Sequence, residues 1–332
     1  MLVNGKWSAA WTPVQAKDED GRFVRQTSSF RSWVTPDGAP GPDGSAGFPA
    51  EPGRYHLYVA LICPWASRAL MARKLKRLDD VISVSVVEPA LTEQGWRFGD
   101  HPGAGSDPHL GATYMHEIYT HSDAGFTGRA TVPVLWDKET RRIVNNESAD
   151  ILRMLNSAFD AFGDASVDLY PAAHAAEIDA LNPVLYDRLN NGVYKAGFAS
   201  SQLAHDEAVR GVFETLDALE ARLSDGRAYL FGDALTETDV RVFVTLVRFD
   251  PAYHGLFKCN LKSIAEYPRL SAYADRIGAL PGVRETVDLD HIKVGYHSIA
   301  ALNPTGVVPL GPLRAPGAPW LAADAAANGG RS

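Results

Sequence analysis

Apolar and polar positions change rhythm along the chain, and each change predicts an element. Residues 54–62 carry a strand-like apolar run, Tyr55-His56-Leu57-Tyr58-Val59-Ala60-Leu61-Ile62. A helix-like stretch follows over 64–78, opening Pro64-Trp65-Ala66-Ser67-Arg68, and Pro64 suits a first helical position because its missing N–H costs nothing there. The β-branched apolar positions Val81, Ile82, Val84, Val86 and Val87 predict a strand over 81–88. Strand, helix and strand make a βαβ unit, whose strands must run parallel. A Gly- and Pro-rich connection (89–112), long enough to suggest function, leads to a short helix around 112–121. Thr131–Asp137 and Arg142–Asn145 then read as a β-hairpin, and Glu147–Leu155 as a helix.

From about 165 the period becomes helical. Ala173–Asn190, His205–Leu223, Thr238–Arg248 and Leu261–Ile277 each space apolar residues by three and four, and Thr236 to Asp239 offers a loose capping box. The order βαβ then ββα is that of a thioredoxin-like domain, so the expected fold is an α/β thioredoxin-like half followed by an all-α half. The expected boundaries are an irregular N-terminal arm (1–50) marked by Thr35-Pro36-Asp37-Gly38 and Gly41-Pro42-Asp43-Gly44, a thioredoxin-like domain (51–160), a helical domain (165–300) and a tail (301–332). The last fifteen or so residues, rich in Pro, Gly and Ala, are expected to be disordered.

Composition narrows the function. With 332 residues, 45% of them apolar and 10% aromatic, the chain can bury two cores. No apolar stretch approaches the roughly 20 residues that span a bilayer, and the first residues lack the apolar region of a secretory signal, so a cytoplasmic location and no membrane partner are expected. A net charge of −8 argues against nucleic acid as a partner. Two distant cysteines make no disulfide framework, and nothing in the sequence suggests a metal.

The candidate chemistry starts at Cys63, between the first strand and the helix that Pro64 opens. Unpaired amides and the dipole of a helix N-terminus stabilise a thiolate there by about 0.3–1 kcal/mol. A dithiol oxidoreductase would carry a second cysteine three residues later, where this chain has Ala66. The thiol must therefore be resolved by a partner from solution. Cys259 reads as a buried thiol in a helical, aromatic-rich segment. Val132-Pro133 precedes a strand, where a cis bond would present the Val132 backbone N–H and C=O to a peptide-like ligand.

A thioredoxin-like half followed by helices resembles the cytosolic glutathione transferases, and particular blocks resemble the glutathionyl-hydroquinone reductases, their Xi class. These blocks are Leu57-Tyr58-Val59-Ala60-Leu61-Ile62-Cys63-Pro64-Trp65-Ala66, Gly128-Arg129-Ala130-Thr131-Val132-Pro133-Val134-Leu135-Trp136-Asp137, Asn145-Asn146-Glu147-Ser148, Arg248-Phe249-Asp250-Pro251-Ala252-Tyr253, and the piece from Tyr296-His297-Ser298 to Pro312. The resemblance spans roughly residues 30–312; Ser67, where members often carry histidine, and Ala149-Asp150 depart from it.

The resemblance implies glutathione as co-substrate and a homodimer. Helix-start amides and the Ser148 hydroxyl would seat the γ-glutamyl carboxylate, and Glu147 its ammonium. Val132, beside Pro133, would pair with the cysteinyl backbone, and Arg129 or Trp96 would cover the glycine end. Tyr194, Tyr253 and Tyr296 would hold a phenolic ring, with Tyr194 or Tyr296 as proton donor; Tyr296 opens a block beyond the last periodic helix and is expected to fold back over a cleft. Read without the resemblance, Glu147-Ser148 is an ordinary cap, Arg129 a surface cation, Trp96 a loop anchor and each tyrosine a packing aromatic.

The implied reaction is reduction of a glutathionyl-hydroquinone by a ping-pong cycle through a Cys63–glutathione mixed disulfide. An Omega-type thioltransferase or dehydroascorbate reductase would use the same sulfur without requiring Tyr253 or Tyr296. A non-catalytic binding module of the same fold would need no reactive thiol.

Overall fold

The computed structural model describes residues 1–8 and 16–318. Six strands of two or three residues come first: β1 (Leu2–Val3), β2 (Lys6–Trp7), β3 (Ala16–Lys17), β4 (Phe23–Val24), β5 (Trp33–Thr35) and β6 (Gly47–Pro49). The chain divides into two compact units, Met1–Gln15 with Arg25–Ala172, and Ala16–Val24 with Ala173–Ser332. The segment expected as one irregular arm is thus shared between them, and its described part carries three short strand pairs set in irregular backbone.

The first unit centres on β7 (Tyr55–Val59), followed by α1 (Pro64–Leu75), β8 (Ser83–Val86), α2 (Met115–Ser122), β9 (Val134–Asp137), β10 (Arg142–Asn145) and α3 (Ser148–Ser157). The four-stranded sheet has the order β10-β9-β7-β8. As the βαβ reading requires, β7 and β8 are parallel, while β9 runs antiparallel to β7 and β10. All five residues of β7 are buried, which is why the strand reads as a nearly continuous apolar run. Tyr55, Leu57 and Val59 share one face, and the Tyr55 ring meets Phe159, just past α3, edge-on at 5.7 Å. α1 and α3 pack together, and α2 packs against β10.

The opposite face of β7 is polar for a buried surface. His56 Nδ1 lies 2.7 Å from Ser83 Oγ, and its ring meets His109 edge-on at 4.4 Å. The Tyr58 hydroxyl donates to Asp107 at 2.7 Å, and the same carboxylate accepts the backbone N–H groups of His109, Leu110 and Ala112. Asp107 thereby ties the end of the long connection to the sheet.

The second unit, in its described regular structure after residue 172, is helical: α4 (Ala175–Leu185), α5 (Gly192–Gly197), α6 (Gln202–Arg222), α7 (Glu237–Arg248), α8 (Pro268–Gly278) and α9 (Leu289–His297). All twelve residues of α7 are buried, so it is the central helix. Its capping box is present: Asp239 accepts from the Thr236 N–H and hydroxyl, both at 2.7 Å, and also from Leu230 N and Tyr273 Oη.

Several boundaries differ from expectation. The stretch 173–190 is α4 plus a π-helical turn, Tyr186–Asn190, and a second such turn, Phe249–Tyr253, continues α7. The 261–277 pattern yields α8 only from Pro268, whose ring sets the first helical position. Cys259 lies outside any helix, after Lys258 at φ 60°. Tyr296 sits within α9, a helix of the second unit, so it is not on a tail folding back.

Residues 298–318 hold no helix or strand, yet they are tied down. Lys293 Nζ donates to Leu310 O at 2.6 Å, Arg314 pairs with Asp275 at 2.6 Å, and Gly317 N–H donates to the same carboxylate at 2.8 Å. Gly317 has φ +79°, and a Cβ there would come within 2.6 Å of the Phe243 ring. The expected disorder of the last fifteen or so residues falls beyond Ala318, outside the described residues.

Candidate active site

Cys63 is the N-cap of α1, in extended conformation (φ −79°, ψ 117°), with Pro64 at the first helical position. The Cys63 side chain makes no cap bond to the helix it starts. The thiol Sγ–H donates instead to Val132 O at 3.6 Å. Cys63 keeps 9% exposure, while Cys259 keeps none. Burial pushes the Cys259 thiol up to about 12, so it stays protonated and inert. Val132-Pro133 is cis, and both residues are buried.

Glu147 and Ser148 open α3. Glu147 is the N-cap: its Oε1 accepts from Ala149 N at 3.1 Å and lies 3.4 Å from Ser148 Oγ. Its Oε2 accepts from the Ser28 hydroxyl at 2.9 Å, and Phe30 N–H and O pair with Asn146, so residues 28–30 brace this helix start. Ser148 is 2% exposed and receives a hydrogen bond from Arg68 Nη1 at 3.4 Å. Arg68 comes from α1, the helix that also positions the thiol.

Arg129 is half-buried, and its backbone N–H donates to Gln26 Oε1 at 2.9 Å. Burial first, and then the nearby Arg25 charge, lower its pKa. Trp96 is half-buried in a loop strapped by Met115 N–H to Trp96 O at 2.9 Å, and Trp7 stacks on His116 beside it at 4.8 Å. Cys63 with Val132, and Glu147 with Ser148, are therefore brought together.

In the second unit the three tyrosines converge. Tyr194 on α5, Tyr253 at the end of the π turn and Tyr296 on α9 bring their hydroxyls to 2.6 Å (194–296), 2.9 Å (253–296) and 3.5 Å (194–253). Phe257 packs against all three rings, at centroid distances of 5.2 to 5.6 Å. Burial holds the Tyr253 and Tyr296 phenols well above the usual value, so both are neutral donors at neutral pH. The wider π turn is what lets Tyr253 reach α9; no local pattern signals it.

Known proteins resolve what this arrangement belongs to. The glutathione S-transferase N-terminal domain matches residues 62–158, and the C-terminal domain of the same family matches residues 202–276. The glutathionyl-hydroquinone reductase YqjG of Escherichia coli is 51% identical over 94% of this chain and 95% of its own length. PcpF of Sphingobium chlorophenolicum, with the same activity in its name, is 48% identical over 95% and 96%. The chain belongs to the glutathionyl-hydroquinone reductases, the Xi class of glutathione transferases. In structure, this reductase-family chain is similar to glutathione-bound YqjG, with a TM-score of 0.87, 48% identity and coverage of 96% and 97% of the two chains. A Xi transferase from Phanerochaete chrysosporium gives a TM-score of 0.83 at 46% identity, covering 88% and 98%.

Members of this class are enzymes, and the expected fold of a thioredoxin-like half followed by a helical half holds for this one. Three further residues were not singled out from sequence: Arg68 and Ser28 beside the α3 start in the first unit, and Phe257 among the tyrosines of the second. Arg68 and Ser28 reach their partners across 80 and 119 positions, beyond any local signal. No described helix is long and apolar enough to cross a membrane.

Proposed function

We propose that this protein reduces glutathionyl-hydroquinones to hydroquinones with glutathione as the reductant. The observation that carries the reading is Cys63 itself, a helix-capping thiol with Ala66 where a resolving cysteine would stand, lying against the Val132 carbonyl. A glutathione whose cysteinyl backbone pairs with Val132 would bring its sulfur to Cys63. Its γ-glutamyl carboxylate would meet the first amides of α3 and the Ser148 hydroxyl, and Glu147 would take the ammonium. Arg129 or Trp96 would meet the glycine end.

The chemistry follows from thiol exchange. The Cys63 thiolate attacks the sulfur of the thioether, forming an S–S bond as the carbon–sulfur bond breaks. Carbon leaves poorly, so the ring reacts as its keto tautomer, with Tyr194, Tyr253 and Tyr296 hydrogen-bonding its oxygens. Tyr194 or Tyr296 supplies the ring-side proton, and the hydroquinone departs. A second glutathione thiolate then attacks the mixed disulfide, releasing glutathione disulfide and the Cys63 thiolate. The cluster of three hydroxyls supports this reading over an Omega-type thioltransferase, for which the phenols have no task. The family resemblance also supports a cytoplasmic homodimer, which size-exclusion chromatography with light scattering would test.

The decisive experiment supplies glutathionyl-hydroquinone and glutathione, and follows hydroquinone release by wild type and Cys63→Ala. Turnover should vanish in the variant; undiminished release would overturn the mechanism.

A further inference from the structure

The polarity of the hydrogen bonds at the start of α3 is set by a residue of α1. Arg68, 1% exposed, donates from Nη1 to Ser148 Oγ at 3.4 Å. A guanidinium carries donors and no acceptor, so Ser148 Oγ can only accept in this pair. The single hydroxyl proton must then point elsewhere. Within the chain it has Glu147 Oε1 at 3.4 Å. Trp65, one turn earlier on α1, fixes the guanidinium: Arg68 Cζ lies 4.5 Å from its ring centroid, and Arg25 Cζ lies 4.8 Å from the same ring.

An isolated serine hydroxyl is indifferent to ligand polarity, since it can donate to a carboxylate or accept from an amide or ammonium. With Arg68 in place, one of its two lone pairs is taken and that freedom is reduced. The proton is kept off the Arg68 side, available to Glu147 or to a ligand acceptor, and a buried positive charge stands behind the hydroxyl. We propose that Arg68 is a positioning residue that, by taking one lone pair of Ser148 and turning its proton away from the guanidinium, biases the hydroxyl toward donating, so that the α3 start favours ligands bearing a carboxylate over ligands with hydrogen at the same carbon. The inference rests on the glutathione reading above and adds to it the residue that sets carboxylate preference.

The test uses the full-length protein and two probes, S-methylglutathione and the same tripeptide with 4-aminobutyrate in place of the γ-glutamyl residue, which lacks only the carboxylate in question. Calorimetric titration of wild type should favour S-methylglutathione by roughly ten- to a hundredfold, the range for hydrogen bonds to a charged group. Arg68→Met should cut that ratio by about tenfold or more, and Arg68→Lys, still a donor-only cation, should keep most of it. Adding Arg68→Met to Ser148→Ala should lower the ratio little further. If Arg68→Met does not melt cooperatively, Arg68→Gln, whose amide can both donate and accept, should show the lowered ratio. A variant that weakens both probes equally and leaves the ratio intact would mean Arg68 only packs, and would overturn the inference. Failure of wild type to bind S-methylglutathione would instead remove the glutathione reading, and this inference with it.

Discussion

The hydroxyls of Tyr194 and Tyr296 lie 2.6 Å apart, and Tyr296 also meets Tyr253 at 2.9 Å, so Tyr296 makes the two shorter contacts of the cluster. Tyr194 and Tyr253 are 3.5 Å apart. Tyr296→Phe breaks two of these contacts while leaving the aromatic packing in place. It should lower kcat for hydroquinone release by about a hundredfold, the lower range for a lost general acid, and more than Tyr253→Phe does. Exchange of Cys63 with glutathione disulfide should be unchanged in both. Equal effects of the two substitutions would mean that the geometry does not rank the phenols.

The thiols should separate cleanly by reactivity. Cys259 has no exposure and burial pushes its thiol up to about 12, so brief treatment with glutathione disulfide at neutral pH should place a single adduct on Cys63. Peptide mass spectrometry reads this directly. Modification of native Cys259 at a comparable rate would contradict its sealed position.

Acid should weaken the first unit through His56. Burial, and then the His109 charge, pull the His56 pKa down to about 3, with Lys138 and Arg73 acting in the same direction and Asp107 opposing. Burial lowers His109 as well. An unfolded histidine titrates near 6.5, so below that pH the unfolded chain binds protons that the folded chain refuses. The stability these groups contribute is therefore whole above about pH 6.5 and drains away as pH falls toward about 3. Urea midpoints between pH 7.5 and 4.5 should decline less steeply in His56→Gln, by up to about 1.36 kcal/mol per pH unit. Parallel slopes would rule out His56 as a source.

Asp239 offers a test of the helical unit. Its carboxylate accepts from Thr236 N, Thr236 Oγ, Leu230 N and Tyr273 Oη, all within 2.8 Å. Asp239→Ala strands these donors in a buried setting and should cost about 3 kcal/mol or more, seen as a lower urea midpoint at unchanged slope. A loss below about 1 kcal/mol would show that the cap is dispensable.

What the sequence made legible is what local rules govern. The β-branched run in 81–88, the hairpin around Trp136 and the Thr236–Asp239 cap announce themselves because periodicity and capping act over a few residues. The Cys63 position was legible for the same reason, through Pro64. What stayed hidden needed the whole fold. α5 was missed because glycines at both ends, Gly192 and Gly197, weaken its helical signal. α9 was missed because its nine residues mix apolar positions with Asp290, His291 and Lys293. The 249–253 turn departs from the 3.6-residue repeat that the eye follows, and Arg68 finds Ser148 only once two helices lie side by side.

The three phenols are drawn from segments separated by 59 and 43 residues, with α9 supplying the last. No fragment of the chain can therefore own this hydroxyl cluster; it comes into being only when the helical unit is complete. A chain ending before Leu289 would keep its sulfur chemistry in principle, yet would have lost the phenol that makes the two shorter contacts of the cluster. Under the proposed mechanism such a chain would still trade disulfides but cleave carbon–sulfur bonds far more slowly, so integrity of the final helix would separate a general redox exchanger from a catalyst for one kind of bond.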